Sequence, residues 1–257
     1  MWSFLMLLCL NICMEINKLS IIVPCYNEGK KIRRNLEEKV IPFLASRKIN
    51  YEIILVNDGS KDNTKELFKH LVLENVRPLG YEQNRGKGGA VKFGIEQASG
   101  DYVLFMDADL STDLKALDLI YADNDNADMY IGSRHLKNSV LAKKQGFMRR
   151  FVGRSCRIIV NTSFKFRFKD TQCGFKAIRT DYAKEMAKRQ IINGFAFDVE
   201  YLYMARLNNL KIKELPVIWE NDEDSKVNTF KSSIRFFKDI RIIKKNRANY
   251  LFGGKKV

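Results

Sequence analysis

The sequence predicts an α/β fold, a mostly parallel sheet flanked by helices. Three observations carry that prediction. Short apolar runs alternate with amphipathic stretches through the first half of the chain. Several of those runs end in a cluster of polar or small residues, and the 257-residue chain is 46% hydrophobic, enough for one large core. Alternating strands and helices imply right-handed crossovers and parallel neighbours.

The elements follow in order. The run LSIIV at 19–23 is a strand ending at Pro24, and residues 30–46 set Ile32, Leu36, Val40, Phe43 and Leu44 at helical spacing. YEIILV at 51–56 is a second strand, closed by NDGS at 57–60; residues 61–73 form a helix opened by Asp62 and Thr64. A third strand lies at 76–81, a helix at 87–98, and further strands at 101–106 and 128–133. Residues 194–206 are expected to form a buried helix through Phe195, Val199, Leu202 and Met204. Asp198 and Glu200 sit near its start, where acids also favour the helix dipole.

Residues 228–246 set Phe230, Ile234, Phe237 and Ile240 on one helical face. Lys231, Arg235, Lys238, Arg241, Lys244 and Lys245 occupy the other sides. That pattern suits a helix lying in a membrane interface and equally one packed on the domain; the basic excess favours the membrane. The chain thus divides into an apolar N-terminal segment (1–18), one domain (19–227) and a basic amphipathic helix with its tail (228–257). The first 14 residues are apolar but too few to span a bilayer, which takes about 20. They allow a shallow membrane anchor, a helix packed on the protein, or a start at Met14; membrane contact is the favoured expectation.

The net charge of +15 calls for an anionic partner: nucleic acid, an acidic membrane surface or a phosphorylated small molecule. Residues 129–169 hold eleven Lys or Arg and no acid. No recognisable nucleic-acid-binding module accompanies them, so nucleic acid is not the expected partner. The five cysteines (Cys9, Cys13, Cys25, Cys156, Cys173) show neither zinc spacing nor a disulfide framework and are read as reduced, packed thiols in the cytosol.

The chemistry gathers at strand ends. Asn27 and Glu28, Asp58, Asp107 and Asp109, and Ser133 and Arg134 all follow predicted strands, and ligands of open α/β sheets bind at that edge. Of the three D-x-D patterns, Asp107/Asp109, Asp123/Asp125 and Asp222/Asp224, only the first ends an apolar run. In an extended chain those two carboxylates share a face and repel unless a cation lies between them. Such hard oxygen donors suit Mg²⁺ or Mn²⁺ with substrate phosphates in the remaining positions. The stretch NRGKGGA at 84–90 adds Arg85, Lys87 and a glycine-rich helix start that favours phosphate. Neither the P-loop spacing nor a G-x-G-x-x-G run after the first strand is present, which argues against NTPases and dinucleotide oxidoreductases.

Taken together, IIVPCYNE (21–28), VNDGSKDNT (56–64), NRGKGGA (84–90), FMDADL (105–110) and IGSR (131–134) resemble the family 2 glycosyltransferases of GT-A, Rossmann-like fold. DTQCGFK (170–176) and WENDEDSKV (219–227) look closest to the dolichyl-phosphate β-glucosyltransferases, then to other polyprenyl-phosphate transferases. The resemblance implies a metal-dependent, inverting hexosyltransferase that moves a sugar, expected to be glucose, from a UDP-sugar to a polyprenyl or dolichyl phosphate. The expected location is the cytoplasmic side of a membrane, peripheral or shallowly anchored.

It further implies Pro24, Tyr26, Glu28, Asp58 and Lys87 as nucleotide-sugar residues, with Asp58 accepting from the uracil N3–H. Asp107 would sit by ribose and metal, Asp109 on the metal. Arg134, Arg149, Arg150, Arg154 and Lys226 would meet the acceptor phosphate. Asp170, Asp198 and Glu200 are candidates for a general base. Relatives often carry Gln where Ser111 stands, which leaves a third metal ligand open. A phosphate acceptor is already ionised at neutral pH and needs neutralisation rather than a base. A saccharide-hydroxyl acceptor, the alternative reading, needs one.

Overall fold

The computed structural model describes residues 16–29, 31–141, 147–220 and 229–252; the side chains of 147–152 and 229–234 lie outside that description. A seven-stranded sheet forms the centre, in the order β3-β2-β1-β4-β7-β5-β8. Its strands are β1 (Leu19–Cys25), β2 (Tyr51–Asp58), β3 (Val76–Tyr81), β4 (Tyr102–Phe105), β5 (Met129–Ser133), β7 (Lys176–Arg179) and β8 (Ile212–Pro216). The pairings β1–β2, β1–β4, β2–β3 and β5–β8 are parallel, and β7 runs antiparallel between β4 and β5. A two-stranded pair, β6 (Val140–Leu141) with β9 (Ile218–Trp219), stands beside it.

The helices are α1 (Ile32–Asn35) and α2 (Ile41–Ser46), joined by a π turn (Leu36–Val40), then α3 (Thr64–His70), α4 (Lys87–Gln97), α5 (Ala116–Tyr121), α6 (Phe147–Phe164), α7 (Thr180–Arg189), α8 (Phe197–Leu207) and α9 (Thr229–Lys245). A 3₁₀ turn, Arg247–Tyr250, follows.

Side chains alternate across a strand, so one sheet builds two cores. On one side Ile22, Ile54, Val56, Val103, Phe105, Met129 and Ile178 pack with α4, α6, α8 and α9. On the other, Ile21, Val23, Ile53, Leu55, Leu104, Tyr130 and Ala177 pack with Leu36, Leu44, Phe68 and Leu117.

The five strands and three early helices foreseen from periodicity are present. Two expectations change. Phe195 lies before α8 and is 52% exposed, whereas Val199, Leu202 and Met204 are fully buried. The described part of α9 turns Phe236, Ile240 and Ile243 into the protein's own core, with Phe237 packed against it. Its apolar stripe is therefore covered from within; Phe230 and Ile234 fall outside the described side chains, as does the N-terminal segment 1–15. Among the described residues no helix is long and apolar enough to cross a membrane. Cys25, Cys156 and Cys173 are buried free thiols.

At the edge opposite the strand ends discussed below, Glu52 is 5% exposed. It accepts hydrogen bonds from Ser20 Oγ (2.7 Å), Ser99 N (2.7 Å), Ser99 Oγ (2.8 Å) and Arg77 Nη1 (3.1 Å). Burial alone would raise its pKa; the bonds from Ser20, Ser99 and Arg77 outweigh burial and bring it down to about 2. The folded-state value lies below the unfolded one. This stabilisation is therefore present above about pH 4.5 and lost as the pH falls towards 2. The expected contribution is on the order of 2–3 kcal/mol, read from urea unfolding at stepped pH. Glu52→Gln flattens that part of the profile; an unchanged slope would contradict the assignment.

Candidate active site

The site grows from the end of β4. Met106 N still bonds Ile22 O, and residues 107–110 then close a tight turn through Leu110 N to Asp107 O at 3.2 Å. Leu110 adopts φ 55°, a left-handed conformation that costs a branched residue energy. A turn, rather than the extended chain expected, thus presents Asp107 and Asp109. Asp109 Oδ1 accepts from Ser111 N at 2.9 Å. Asp107 Oδ1 pairs with the Lys87 ammonium, which comes from the first position of α4. Burial works to lower the Lys87 pKa, but Asp107, Asp198 and Asp109 outweigh it and hold the ammonium firmly charged.

Gly174 presses on the same carboxylate: a Cβ there would overlap Asp107 Oδ2. Gly174→Ala must push Asp107 aside and is expected to lower kcat/KM for transfer at least about tenfold. Unchanged steady-state kinetics would show that Asp107 has no fixed task.

Two buried ion pairs flank the turn. Lys176, fully buried on β7, donates to Asp198 Oδ1 (2.8 Å) and Cys173 O (2.6 Å). Arg134, just after β5, holds Asp170 in a fork: Nε to Oδ2 at 2.6 Å and Nη2 to Oδ1 at 3.0 Å, with the backbone N at 3.1 Å. Its guanidinium lies 5.5 Å from the Trp219 ring centroid. Burial would raise the Asp170 pKa, yet Arg134 brings it down to about 2. Asp107 also helps hold Arg134 charged, which puts the Arg134–Asp170 and Lys87–Asp107 pairs in one electrostatic neighbourhood.

Glu200 is fully buried and accepts from Ile191 N (2.9 Å), Ile192 N (3.1 Å) and the Tyr250 hydroxyl (2.5 Å). Burial raises its pKa. The three carboxylates considered as bases are thus engaged: Asp170 with Arg134, Asp198 with Lys176, Glu200 in a backbone-holding network.

The other strand ends carry the remaining candidates. Pro24, near the end of β1, is half-buried; after the strand Tyr26 is exposed and Glu28 half-buried. Asp58, at the end of β2, is 3% exposed and ties down the 84–86 loop. It accepts from Tyr81 Oη (2.7 Å), Asn84 Nδ2 (2.9 Å), Arg85 N (2.7 Å) and Gly86 N (2.9 Å). Gly86 needs φ 96°, and a Cβ on it would meet Asn193 O at 2.5 Å. Gly89 N donates to that same oxygen at 3.2 Å. Within the 84–90 helix start expected to favour phosphate, the amides of residues 85, 86 and 89 are therefore taken by Asp58 and Asn193. The side chain that this loop brings to the site is Lys87.

Arg154 is exposed on α6; the Arg149 and Arg150 side chains and all of Lys226 lie outside the described residues. Gly174, Lys176 and Asn193 were not anticipated as site residues. The lone lysine in the run FKAI at 175–178 was the available signal, because a charge within an apolar strand needs a buried partner.

Two hard oxygen donors on one rigid turn, faced by an ammonium, suit a small dication that completes its shell from phosphate and water. Among the described residues no group of three His, Cys, Asp or Glu could hold a metal by itself.

Comparison with known proteins gives the family and the fold. Residues 20–187 match the family model for glycosyl transferase family 2. A dolichyl-phosphate beta-glucosyltransferase of Dictyostelium discoideum is 39% identical over 91% of this chain and 75% of its own. The Homo sapiens protein of that name is 33% identical over 92% and 76%. Among solved structures, Mycobacterium tuberculosis glucosyl-3-phosphoglycerate synthase with Mn²⁺, UDP-glucose and phosphoglyceric acid superposes with TM-score 0.66. It is 14% identical, over 89% of this chain and 80% of that one. S. aureus TarS superposes at 0.54, with 20% identity over 91% and 70%. These neighbours share the GT-A architecture of the seven-stranded sheet. The chain belongs to glycosyltransferase family 2 and is similar over most of its length to the dolichyl-phosphate β-glucosyltransferases.

Proposed function

We propose that this protein transfers glucose from UDP-glucose to a dolichyl or polyprenyl phosphate at the cytosolic face of a membrane. The observation that carries the reading is the Asp107 turn. It brings two carboxylates, Lys87 and the Arg134–Asp170 pair into one neighbourhood, while the candidate bases are already engaged. Such a site is suited to holding phosphates and poorly suited to removing a proton. The names of the curated relatives support glucose and a dolichyl phosphate acceptor. The mycobacterial synthase solved with Mn²⁺ and UDP-glucose supports the donor and the metal.

In this reading Asp107 and Asp109 hold Mg²⁺ or Mn²⁺, which when bound neutralises charge growing on the leaving diphosphate. Lys87 turns from Asp107 to the diphosphate. Pro24, Tyr26 and Glu28 border the nucleotide, and Asp58 serves it by fixing the 84–86 loop. Arg134, oriented by Asp170, meets the acceptor phosphate together with Arg149, Arg150, Arg154 and Lys226; the arginine fork suits that anion. One phosphate oxygen forms the bond to the anomeric carbon as the bond to UDP breaks, so the electron pair leaves with UDP and the centre inverts.

The test is product identity. Purified protein with UDP-glucose, a short-chain polyprenyl phosphate and Mn²⁺ is expected to give a hexosyl-phosphoryl lipid by mass spectrometry, lost on chelation with EDTA. No lipid product from protein that still binds UDP-glucose would overturn the acceptor assignment.

A further inference from the structure

We infer that Glu200 and Tyr250 form a positioning pair that sets Lys87 at the donor end of the site from behind. The inference rests on Lys87 meeting the donor diphosphate. Lys87 opens α4, and the start of α4 has little support of its own: Gly86, Gly88 and Gly89 surround it. Residues 190–194 supply that support. Gln190 Nε2 donates to Gly88 O (2.9 Å), Asn193 O accepts from Gly89 N (3.2 Å), and Cβ atoms on Gly86 or Gly88 would strike Asn193 O or Ile192 O. The glycines therefore allow a close contact between two backbones, and the height of α4 follows the position of the 190–194 segment.

That segment is in turn held by buried groups that touch nothing in the reaction. Glu200 takes the amides of Ile191 and Ile192, one on each carboxylate oxygen. Tyr201 Oη donates to Gln190 Oε1 at 2.8 Å. The Tyr250 hydroxyl, fully buried after α9, donates to Glu200 Oε1. Without the tyrosine hydroxyl, Glu200 Oε1 keeps only the Ile191 amide, so a buried carboxylate loses one of its three donors and shifts on its remaining backbone partners. The order of dependence is thus Tyr250, Glu200, residues 190–193, Gly88–Gly89, Lys87. It explains why an acid sits in the buried stretch 197–205 of α8 without serving as a base, and why the C-terminal turn folds back onto the domain.

The test compares Tyr250→Phe, Glu200→Gln and Lys87→Met with wild type. It reads KM and kcat for UDP-glucose per folded molecule, with thermal unfolding in parallel. Tyr250→Phe and Glu200→Gln are expected to raise the KM for UDP-glucose about tenfold while leaving the acceptor KM unchanged; a small misplacement at a reacting site has effects of that order or larger. Loss of melting temperature with a normal KM for both substrates would reduce the pair to a structural role and overturn the inference. Lys87→Met separates the two claims. If it leaves UDP-glucose binding intact, the assignment of Lys87 to the donor fails. If it weakens binding and Tyr250→Phe does not, only the positioning inference fails.

Discussion

Asp109→Asn is expected to lower kcat/KM for glucosyl transfer by at least about a hundredfold with the fold intact. The substitution keeps the shape of the side chain and the acceptor for Ser111 N, and removes one of two formal charges from the turn. A metal at a developing leaving group is worth several kcal/mol, and each ~1.4 kcal/mol is a tenfold change in rate. Binding of UDP-glucose in Mn²⁺, measured by calorimetry, should weaken in parallel. Thermal unfolding should hardly move, because the residue is only half-buried on a surface turn. Near-normal turnover with Mn²⁺ would remove Asp109 as a metal ligand.

Lys176→Met is expected to have the largest effect on stability. Lys176 is fully buried between β4 and β5, and Asp198 is 5% exposed. Removing the lysine leaves a buried carboxylate without its main counter-charge, a change that costs about 3–5 kcal/mol. At roughly 2–4 °C per kcal/mol for a chain of this size, the melting temperature should fall by about 10 °C. Lys176→Met combined with Asp198→Asn should recover part of the loss, since neither charge then remains. A single-variant loss below about 1 kcal/mol would show that solvent or Lys87 already compensates Asp198.

What the sequence made legible followed from periodicity. β1 to β5 are apolar runs with polar ends, and α1 to α4 carry their apolar residues at helical spacing, so tertiary context only confirmed them. β7 was hidden because it has four residues, runs against its neighbours and carries Lys176 in its middle. β8 reads Ile-Lys-Glu-Leu-Pro and is half-buried at the sheet edge, so its pattern is weak. α6 was masked by its basic residues, although Cys156, Val160 and Phe164 mark its buried face at every fourth position. Within the site, Asp107 and Asp109 were visible from the strand they end, and Lys87 from its glycine loop. The partnership of Arg134 with Asp170, and of Glu200 with Tyr250, was not: residues 36 and 50 positions apart meet only through the tertiary fold. For the same reason acids that looked like candidate bases prove to be partners of buried cations and amides.

In the proposed reaction the site neutralises and positions two phosphates, with no protein base in the transfer step. The pH dependence of kcat/KM for a short-chain polyprenyl phosphate, at saturating Mn²⁺ and UDP-glucose, tests it most directly. The rate should rise tenfold per pH unit up to about pH 6, where a phosphate monoester takes its second charge, and then stay flat to pH 8. A rate that keeps climbing above pH 7, or transfer that proceeds to a saccharide hydroxyl instead, would contradict it.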